Sequence, residues 1–455
     1  MPENENMPDS TTPDATPDTA AKTPEPPQNA AGTTPETATG ETATGKPGKS
    51  QRAEKAEKTE NEKPEKAENT DKAETPQKTE KAEKVEKVEK VEKADKPRAF
   101  RPTHPEPVHS TSDRSETLRR VDGREMRLAV GNSPFPVEQT EAWERFEEAM
   151  GRPLWGRYLY EDEGKPVAAI ALYRYEMGGQ SFLWAKHGPV WLKEQSPERE
   201  AHLRRLLRSV VKERDRSVRF VRMHARYRDT DLRELLSTIT YDRTYVIDLV
   251  PKTPEKMAAV MPKDGRRAVK RAERVAREAG CTISDETGLS RAEFDKVYEV
   301  LRETAERDGF KPHDAEVYWT MLTALGEKNA RLFVLRKDGV PHAWDLILTS
   351  GKDSVAYYGA SSNESRTFRG AEALDWWAAC TLAQEGYRGL DLMGAGSTRV
   401  PSLYTVGQYK KRYAQHVTEV DGAWDVPVSR FIYSGMSAAK RLRDALRARR
   451  GSRED

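Results

Sequence analysis

The fold turns on residues 330 to 349, ARLFVLRKDGVPHAWDLILT. Two runs rich in Leu, Val, Ile and Phe, Ala330 to Arg336 and Pro341 to Thr349, flank Lys337-Asp338-Gly339, and that acidic-Gly pair is a hairpin-turn signal. Downstream, Ser354 to Ala360 reads as a third strand and Gly370 to Glu385 as a helix. Gly389-Leu390-Asp391-Leu392-Met393-Gly394 then reads as a short buried strand ending in glycine. The same order occurs upstream. Arg157 to Glu161 and Val167 to Arg174 meet at Asp162-Glu163-Gly164-Lys165, and Ser181 to Lys186 extends the sheet to Gly188-Pro189. A helix from Pro197 to Asp215 and the strands Val218 to His224 and Arg243 to Leu249 complete that half. A mixed sheet flanked by helices satisfies each half, so the pattern predicts an α/β (α+β) protein of two similar units in tandem.

Further helices are signalled between these strands. Ala142, Trp143, Phe146 and Ala149 mark one apolar face after Gln139-Thr140, and Thr253-Pro254-Glu255 is a helix start with Thr253 as cap. Asp264 to Gly280 carries a small-residue face of Ala268, Ala272, Val275, Ala276 and Ala279, with Arg267, Lys270, Arg271, Arg274 and Arg277 over much of the rest and Gly280 as the expected C-cap. Ser290 to Asp308 and Asp314 to Gly326 complete the set.

The first 115 of the 455 residues are a different material. They consist mostly of Pro, Thr, Ala, Glu and Lys, with almost no aromatic residue before Phe100, so nothing offsets the entropy of ordering the chain, and a disordered tail is expected. Its Lys-Ala-Glu, Lys-Thr-Glu and Lys-Val-Glu repeats have a three-residue period that drifts around a helix, which excludes a heptad coiled coil. The tail has roughly five more acids than bases, leaving the remainder at about +7 against +2 for the whole chain, a balance suited to an anionic partner. Cys281 and Cys380 are too far apart in sequence for a metal motif and make no disulfide framework, so free thiols in a reducing compartment are expected. The polar, acidic N-terminus is no signal peptide, and the longest apolar run, Val167 to Leu172, falls far short of a membrane span. A cytoplasmic location with no transmembrane segment is expected.

One further stretch carries chemistry. In Gly407-Gln408-Tyr409-Lys410-Lys411-Arg412-Tyr413, two tyrosines four apart bracket three cations, so on a helix or a strand some positive charge should sit beside a ring. A lysine held there loses water, and a desolvated ammonium polarises a carbonyl or phosphate oxygen more strongly. The same pattern also describes a basic surface strand with tyrosines packed beneath it. Tyr357-Tyr358-Gly359-Ala360-Ser361-Ser362 is expected to share the floor of that site.

From Phe135 to Trp424 the sequence resembles the FemABX family, the peptidoglycan bridge aminoacyltransferases. The matching pieces are Gln139-Thr140 with Trp143; Lys186-His187-Gly188-Pro189; Arg266-Arg267 with Lys270-Arg271-Ala272; Glu306-Arg307-Asp308-Gly309-Phe310; Tyr358-Gly359-Ala360-Ser361; Asp391-Leu392-Met393-Gly394; and Tyr409-Lys410 with Tyr413. The resemblance implies two tandem GNAT-like acyltransferase domains. The expected boundaries are 1–115 for the tail, 116–252 and 253–420 for the domains, and 421–455 for a strand returning to the first domain plus a basic helix. It also implies transfer of an amino acid from aminoacyl-tRNA, as co-substrate with no cofactor or metal, to an amino group of a lipid-linked or UDP-linked muramyl pentapeptide, with a peripheral contact at the inner membrane face.

The family's aromatic-lysine pair, more often Phe-Lys, falls on Tyr409-Lys410. Lys410 is expected to stabilise the oxyanion, with Lys411 as its rival. Arg307 would bind acceptor phosphate or carboxylate, or else cap its helix at Gly309. Tyr358 and Ser361 would line the acceptor groove, or the tyrosine is an interior strand residue. Arg145 falls close to a position that contacts the nucleotide end. Arg267, Lys270, Arg271 and Arg274, with Lys440 to Arg450, are candidate tRNA contacts or a solvated face. Some relatives insert a long helical hairpin in the second domain. Here Cys281-Thr282-Ile283 follows the basic helix directly, the armless form. Asp391 could orient a substrate amine or satisfy backbone N–H groups, and no general base is evident. Two other readings stay open. One is a GNAT-like enzyme using acyl-CoA, for which Arg366-Thr367-Phe368-Arg369-Gly370-Ala371 partly echoes a pyrophosphate loop. The other is a non-catalytic RNA-binding protein.

Overall fold

Two tight turns set the registers of both halves. Glu163 (φ 50°) with Gly164 (φ 74°) and Asp338 (φ 51°) with Gly339 (φ 78°) are left-handed at both central positions, the turn geometry whose twist matches paired antiparallel strands. The computed structural model describes residues 109–110, 115–236 and 240–451. The expectation for residues 1–115 therefore lies outside the described residues, apart from His109, Ser110 and Ser115.

The first half contains β1 (His109–Ser110), β2 (Glu116–Val121), α1 (Gly123–Val130), α2 (Glu141–Ala149), β3 (Leu154–Asp162), β4 (Lys165–Met177), β5 (Gln180–Trp184), β6 (Val190–Trp191), α3 (Pro197–Arg214) and β7 (Val218–Ala225). The second contains β8 (Arg243–Asp248), α4 (Pro254–Val260), α5 (Lys263–Glu278), β9 (Cys281–Asp285), α6 (Arg291–Asp308), α7 (Ala315–Leu325), β10 (Ala330–Lys337), β11 (Val340–Ser350), β12 (Asp353–Ser361), α8 (Gly370–Gln384), β13 (Gly389–Gly394), α9 (Tyr404–Lys410) and β14 (Thr418–Glu419). The chain ends in β15 (Gly422–Pro427) and α10 (Arg430–Gly451).

These strands form two mixed sheets. One runs β1-β2-β3-β4-β5-β7-β15, with β6 paired to β4, and the other runs β14-β8-β13-β12-β11-β10-β9. Each is antiparallel except at one join, β5 with β7 and β12 with β13, where a helix carries the chain between parallel neighbours. The sequence places Arg243 to Leu249 in the first unit. Instead β8 pairs with β13 through Leu390↔Ile247, so the two lobes meet before residue 243 and not at 252. Its partner arrives more than a hundred residues later, which local pattern does not reveal. The basic helix closes one residue earlier than expected: Ala279 is the cap, and Gly280 (φ 75°) makes the turn into β9, which leaves no room for an inserted hairpin.

One face of each sheet buries against the other lobe. Trp143, Phe146, Leu159 and Tyr173 of the first lobe and Phe294, Tyr318, Trp344 and Tyr357 of the second lie in one apolar cluster. The far face of the second sheet packs on α4, α5 and α8 through Met257, Val269, Ala272, Leu374 and Trp376, with Tyr409 and Tyr413 at its margin. The far face of the first, which includes Trp424 and Val426 of β15, packs on α3 through Leu203, Leu207 and Val210.

Candidate active site

β12 and β13 pair only from Asp353↔Gly389 to Val355↔Asp391. Beyond that they separate, and a cavity of about 30 Å³ opens where they part, lined by Tyr358, Ser361, Ala371, Leu392, Tyr409, Lys410 and two carboxyls, Asp345 and Asp375. That volume has room for one or two water-sized groups.

Lys410 closes α9 and is 4% exposed. Its Nζ donates to Met393 O at 3.1 Å and to Gly394 O at 3.0 Å. Those carbonyls are available because the β13–β8 register slips between Asp391 and Gly394, so Met393 (φ 60°) turns out of the ladder. Asp391 holds that turn: its Oδ1 accepts from Met393 N at 2.6 Å and from the Thr244 hydroxyl. Burial pulls the Lys410 ammonium down to about 8, against the attraction of Asp391 and Asp375. An ammonium has three N–H groups, and two carbonyls engage two of them. At neutral pH Lys410 is thus a desolvated cation with a proton still to direct.

The tyrosines do something other than cradle the lysine. Tyr409 and Tyr413 both donate to Asp375 Oδ2, the latter at 3.1 Å, and their hydroxyls lie 3.1 Å apart. The ammonium is held by carbonyls, so the expectation of a lysine desolvated by rings is corrected to one desolvated by the strand turn. Asp375 is also hydrogen bonded to Asp345. Burial pushes Asp345 well above the usual carboxylate range, and the neighbouring Asp375 adds to this. Asp375 is raised too, by burial opposed by its hydrogen bonds from Tyr409, Tyr413 and Asp345. Sequence reading passed over this pair. The available signal was a lone carboxylate in an apolar run: Trp344-Asp345-Leu346-Ile347 and Leu374-Asp375-Trp376-Trp377.

The other candidates separate into near and far. Tyr358 and Ser361 line the cavity. Burial raises the Tyr358 hydroxyl to about 12, so it is a neutral donor. Arg307 sits one turn from the α6 cap at Gly309 and is spent internally: NH1 donates to Ser361 O at 2.6 Å, and Nε and NH2 reach Asp308. It buttresses the strand end that carries Ser361. Lys411 is exposed, and Lys410 alone of the two lines the cavity. Arg145 is remote from it; its Nε donates to Ala324 O at 3.2 Å and it borders a separate cleft of about 770 Å³. Arg267, Lys270, Arg271 and Arg274 are all exposed along α5, and Arg274 pairs with Glu278.

The early motif pieces serve the lobe junction. Gln139 Nε2 donates to Lys186 O at 2.7 Å and its Oε1 accepts from Ala171 N at 2.7 Å. A side chain at Gly188 would strike the Gln139 amide. His187 then places Nδ1 2.9 Å from Glu138 and Nε2 3.2 Å from the Tyr241 hydroxyl. Burial opposes ionisation of Glu138, but the charge and hydrogen bond of His187 outweigh it and hold the carboxyl down at about 2.

The family model for the acetyltransferase (GNAT) domain matches residues 263–411. A crystal structure of FemX superposes with a TM-score of 0.56 at 14% identity, covering 70% of this chain and 99% of that one. L-PGS from Bacillus licheniformis gives 0.44 at 13% identity over 71% and 97%, and a tandem GNAT protein from the clavulanic acid biosynthesis pathway gives 0.42 at 12% over 69% and 99%. No curated protein matches the sequence. The fold is the FemX one, two GNAT-like lobes in tandem.

Proposed function

We propose that this chain, built on the FemX fold, is an aminoacyltransferase that moves an amino acid from aminoacyl-tRNA to an amino group on the stem peptide of a peptidoglycan precursor. The observation that carries this reading is Lys410, buried and held by Met393 O and Gly394 O at the cavity where β12 and β13 part. When the amine attacks the ester carbonyl, negative charge develops on the carbonyl oxygen, and a preorganised, dehydrated cation lowers that barrier more than it stabilises the ground state. The donor is a polyanion, and the exposed Arg267, Lys270, Arg271 and Arg274 of α5 offer it a basic face. Lipid-linked and UDP-linked muramyl pentapeptide both present the required amine. No helix among the described residues is long and apolar enough to cross a membrane, so the lipid-linked acceptor would be met peripherally.

Single-turnover transfer of a labelled amino acid from a mixed pool of charged tRNAs onto both acceptors tests the reading. Activity should be abolished by ribonuclease, and Lys410→Ala should lower the rate at least about a hundredfold, the usual cost of losing one oxyanion donor. No label on either acceptor from folded protein would sink it. An acyl-CoA donor has its own supporting observation. Arg366-Thr367-Phe368-Arg369 leads into Gly370, the start of a 15-residue helix whose N-terminus would meet a pyrophosphate outside the cavity that Ala371 of its first turn lines. Turnover that ignores ribonuclease and requires acyl-CoA would select this second reading.

A further inference from the structure

An attacking amine arrives as an ammonium and must lose a proton before its nitrogen can act. The cavity offers one pair of groups suited to take it. Resting on the transferase reading above, we propose that Asp375 is the catalytic carboxylate that accepts the proton of the substrate's ammonium, and that Asp345 is its positioning partner.

Three observations converge. Asp345 and Asp375 line the same cavity as Lys410, and its volume of about 30 Å³ has room for the amine nitrogen and the carbonyl oxygen but not for the chains that carry them. The two carboxyls adjoin each other, and burial raises both, Asp345 the further, so Asp375 is the one of the pair that ionises more readily and can meet an incoming ammonium. Tyr409 and Tyr413, from α9 and the turn after it, both bind Asp375 Oδ2 and hold the carboxylate in place beside the lysine they bracket. Two carboxyls in an apolar setting are costly, and a purely structural link between β11 and α8 would be made as well by neutral groups.

The charged surroundings of Asp375 are few. Asp345 faces it from β11, Lys410 from α9, and Glu372 from its own helix; Glu372 is in turn paired with Arg369 and Arg412. In the same cavity Lys410 is available to the carbonyl oxygen and Asp375 to the amine. The steps balance. The ammonium's first proton passes to Asp375, the freed nitrogen forms its bond to the ester carbon, and the carbonyl oxygen takes up charge against Lys410. As the carbon–oxygen ester bond breaks, the ribose oxygen leaves with the proton held by Asp375. The restored carboxylate then takes the second proton from the new amide nitrogen and passes it to water.

The test is the pH dependence of single-turnover transfer, from about pH 5 to 9, for wild type, Asp375→Asn and Asp345→Asn, each with its thermal unfolding recorded. Wild type should rise with pH through an apparent pKa above the ordinary carboxylate range and fall again as the Lys410 ammonium titrates at about 8. Asp375→Asn should lower the rate at least about a hundredfold and remove that rise. Asp345→Asn, whose amide can still donate to Asp375, should fold and move the rise to lower pH. A folded Asp375→Asn protein with an unmoved pH profile and a rate within about threefold of wild type overturns the assignment. If Asp375→Asn does not fold, Asp345→Asn decides, and an unmoved rise there overturns it equally. Wild type that transfers nothing from any charged tRNA refutes the functional reading. Wild type that transfers while the variants keep its profile refutes only the role of Asp375.

Discussion

Glu138 and His187 show how a single side chain can tie the lobe junction to pH. The carboxyl is buried and the imidazole half-buried, 2.9 Å apart, with His224 packed 4.9 Å from the His187 ring. Burial, with the His187 charge, pushes His224 down to about 3, so it stays neutral. His187 is raised: burial lowers it, but Glu138 outweighs that. Because the Glu138 carboxyl falls from an ordinary 4.5 to about 2, its stabilising contribution is complete above about pH 4.5 and lost as pH falls through about 2. The His187 contribution has the opposite sense, complete below its ordinary 6.5 and lost as pH rises through its raised value. Glu138→Gln leaves the imidazole without its anion and should cost about 3 kcal/mol in denaturant unfolding near pH 6, with the loss shrinking at alkaline pH. An equal loss at all pH values would show that packing, not charge, dominates. At this scale the sequence is only half legible. Lys410 announced itself by sitting in a basic run between tyrosines, whereas Asp345 and Asp375 find their partners only when β11, α8 and α9 converge.

Among the elements, α5 has two duties on opposite faces. Its cations face solvent, while Gly265 in its first turn abuts the Arg412 carbonyl so closely that a Cβ would collide with it. Backbone cannot yield as a side-chain tip can, so Gly265→Ala should displace the turn after Lys410. We expect about 1 to 3 kcal/mol of destabilisation by thermal unfolding, together with a lowered transfer rate. Unchanged unfolding and unchanged rate would mean that the 409–413 segment shifts freely. Elements whose cause is local were readable in advance: the two hairpins follow from Glu163-Gly164 and Asp338-Gly339, and α4 starts at Thr253, whose side chain accepts from a backbone N–H in the first turn, as those of Ser196 and Ser290 do for α3 and α6. The parting of β12 from β13 was not readable, because a slipped register with β8 produces the exposed carbonyls and no short window contains both strands.

For the molecule as a whole, the return of β15 to β7 decides what counts as a unit. Gly422↔Ala225 to Pro427↔Phe220 close the edge of the first sheet with residues synthesised after the second sheet. The Arg222–Asp425 ion pair is fully buried there, Nε to Oδ1 at 2.7 Å, and Tyr433 of α10 adds a bond to Asp425 at 2.8 Å. Ending the chain at residue 420 would take the carboxylate away from the Arg222 guanidinium and uncover an unpaired strand edge. Such a truncation should lower the unfolding midpoint of both lobes together and promote self-association, measured by calorimetry and light scattering. A truncated chain with the wild-type midpoint would show the lobes to be independent.

That closure also fixes an order in time. On a ribosome the first half emerges long before residues 422–427, so its last ladder and the anion for its buried arginine are made only after the second sheet. The nascent first lobe must therefore wait with one edge open until the second sheet has been made, so its maturation is timed by the synthesis of its neighbour and not by its own length.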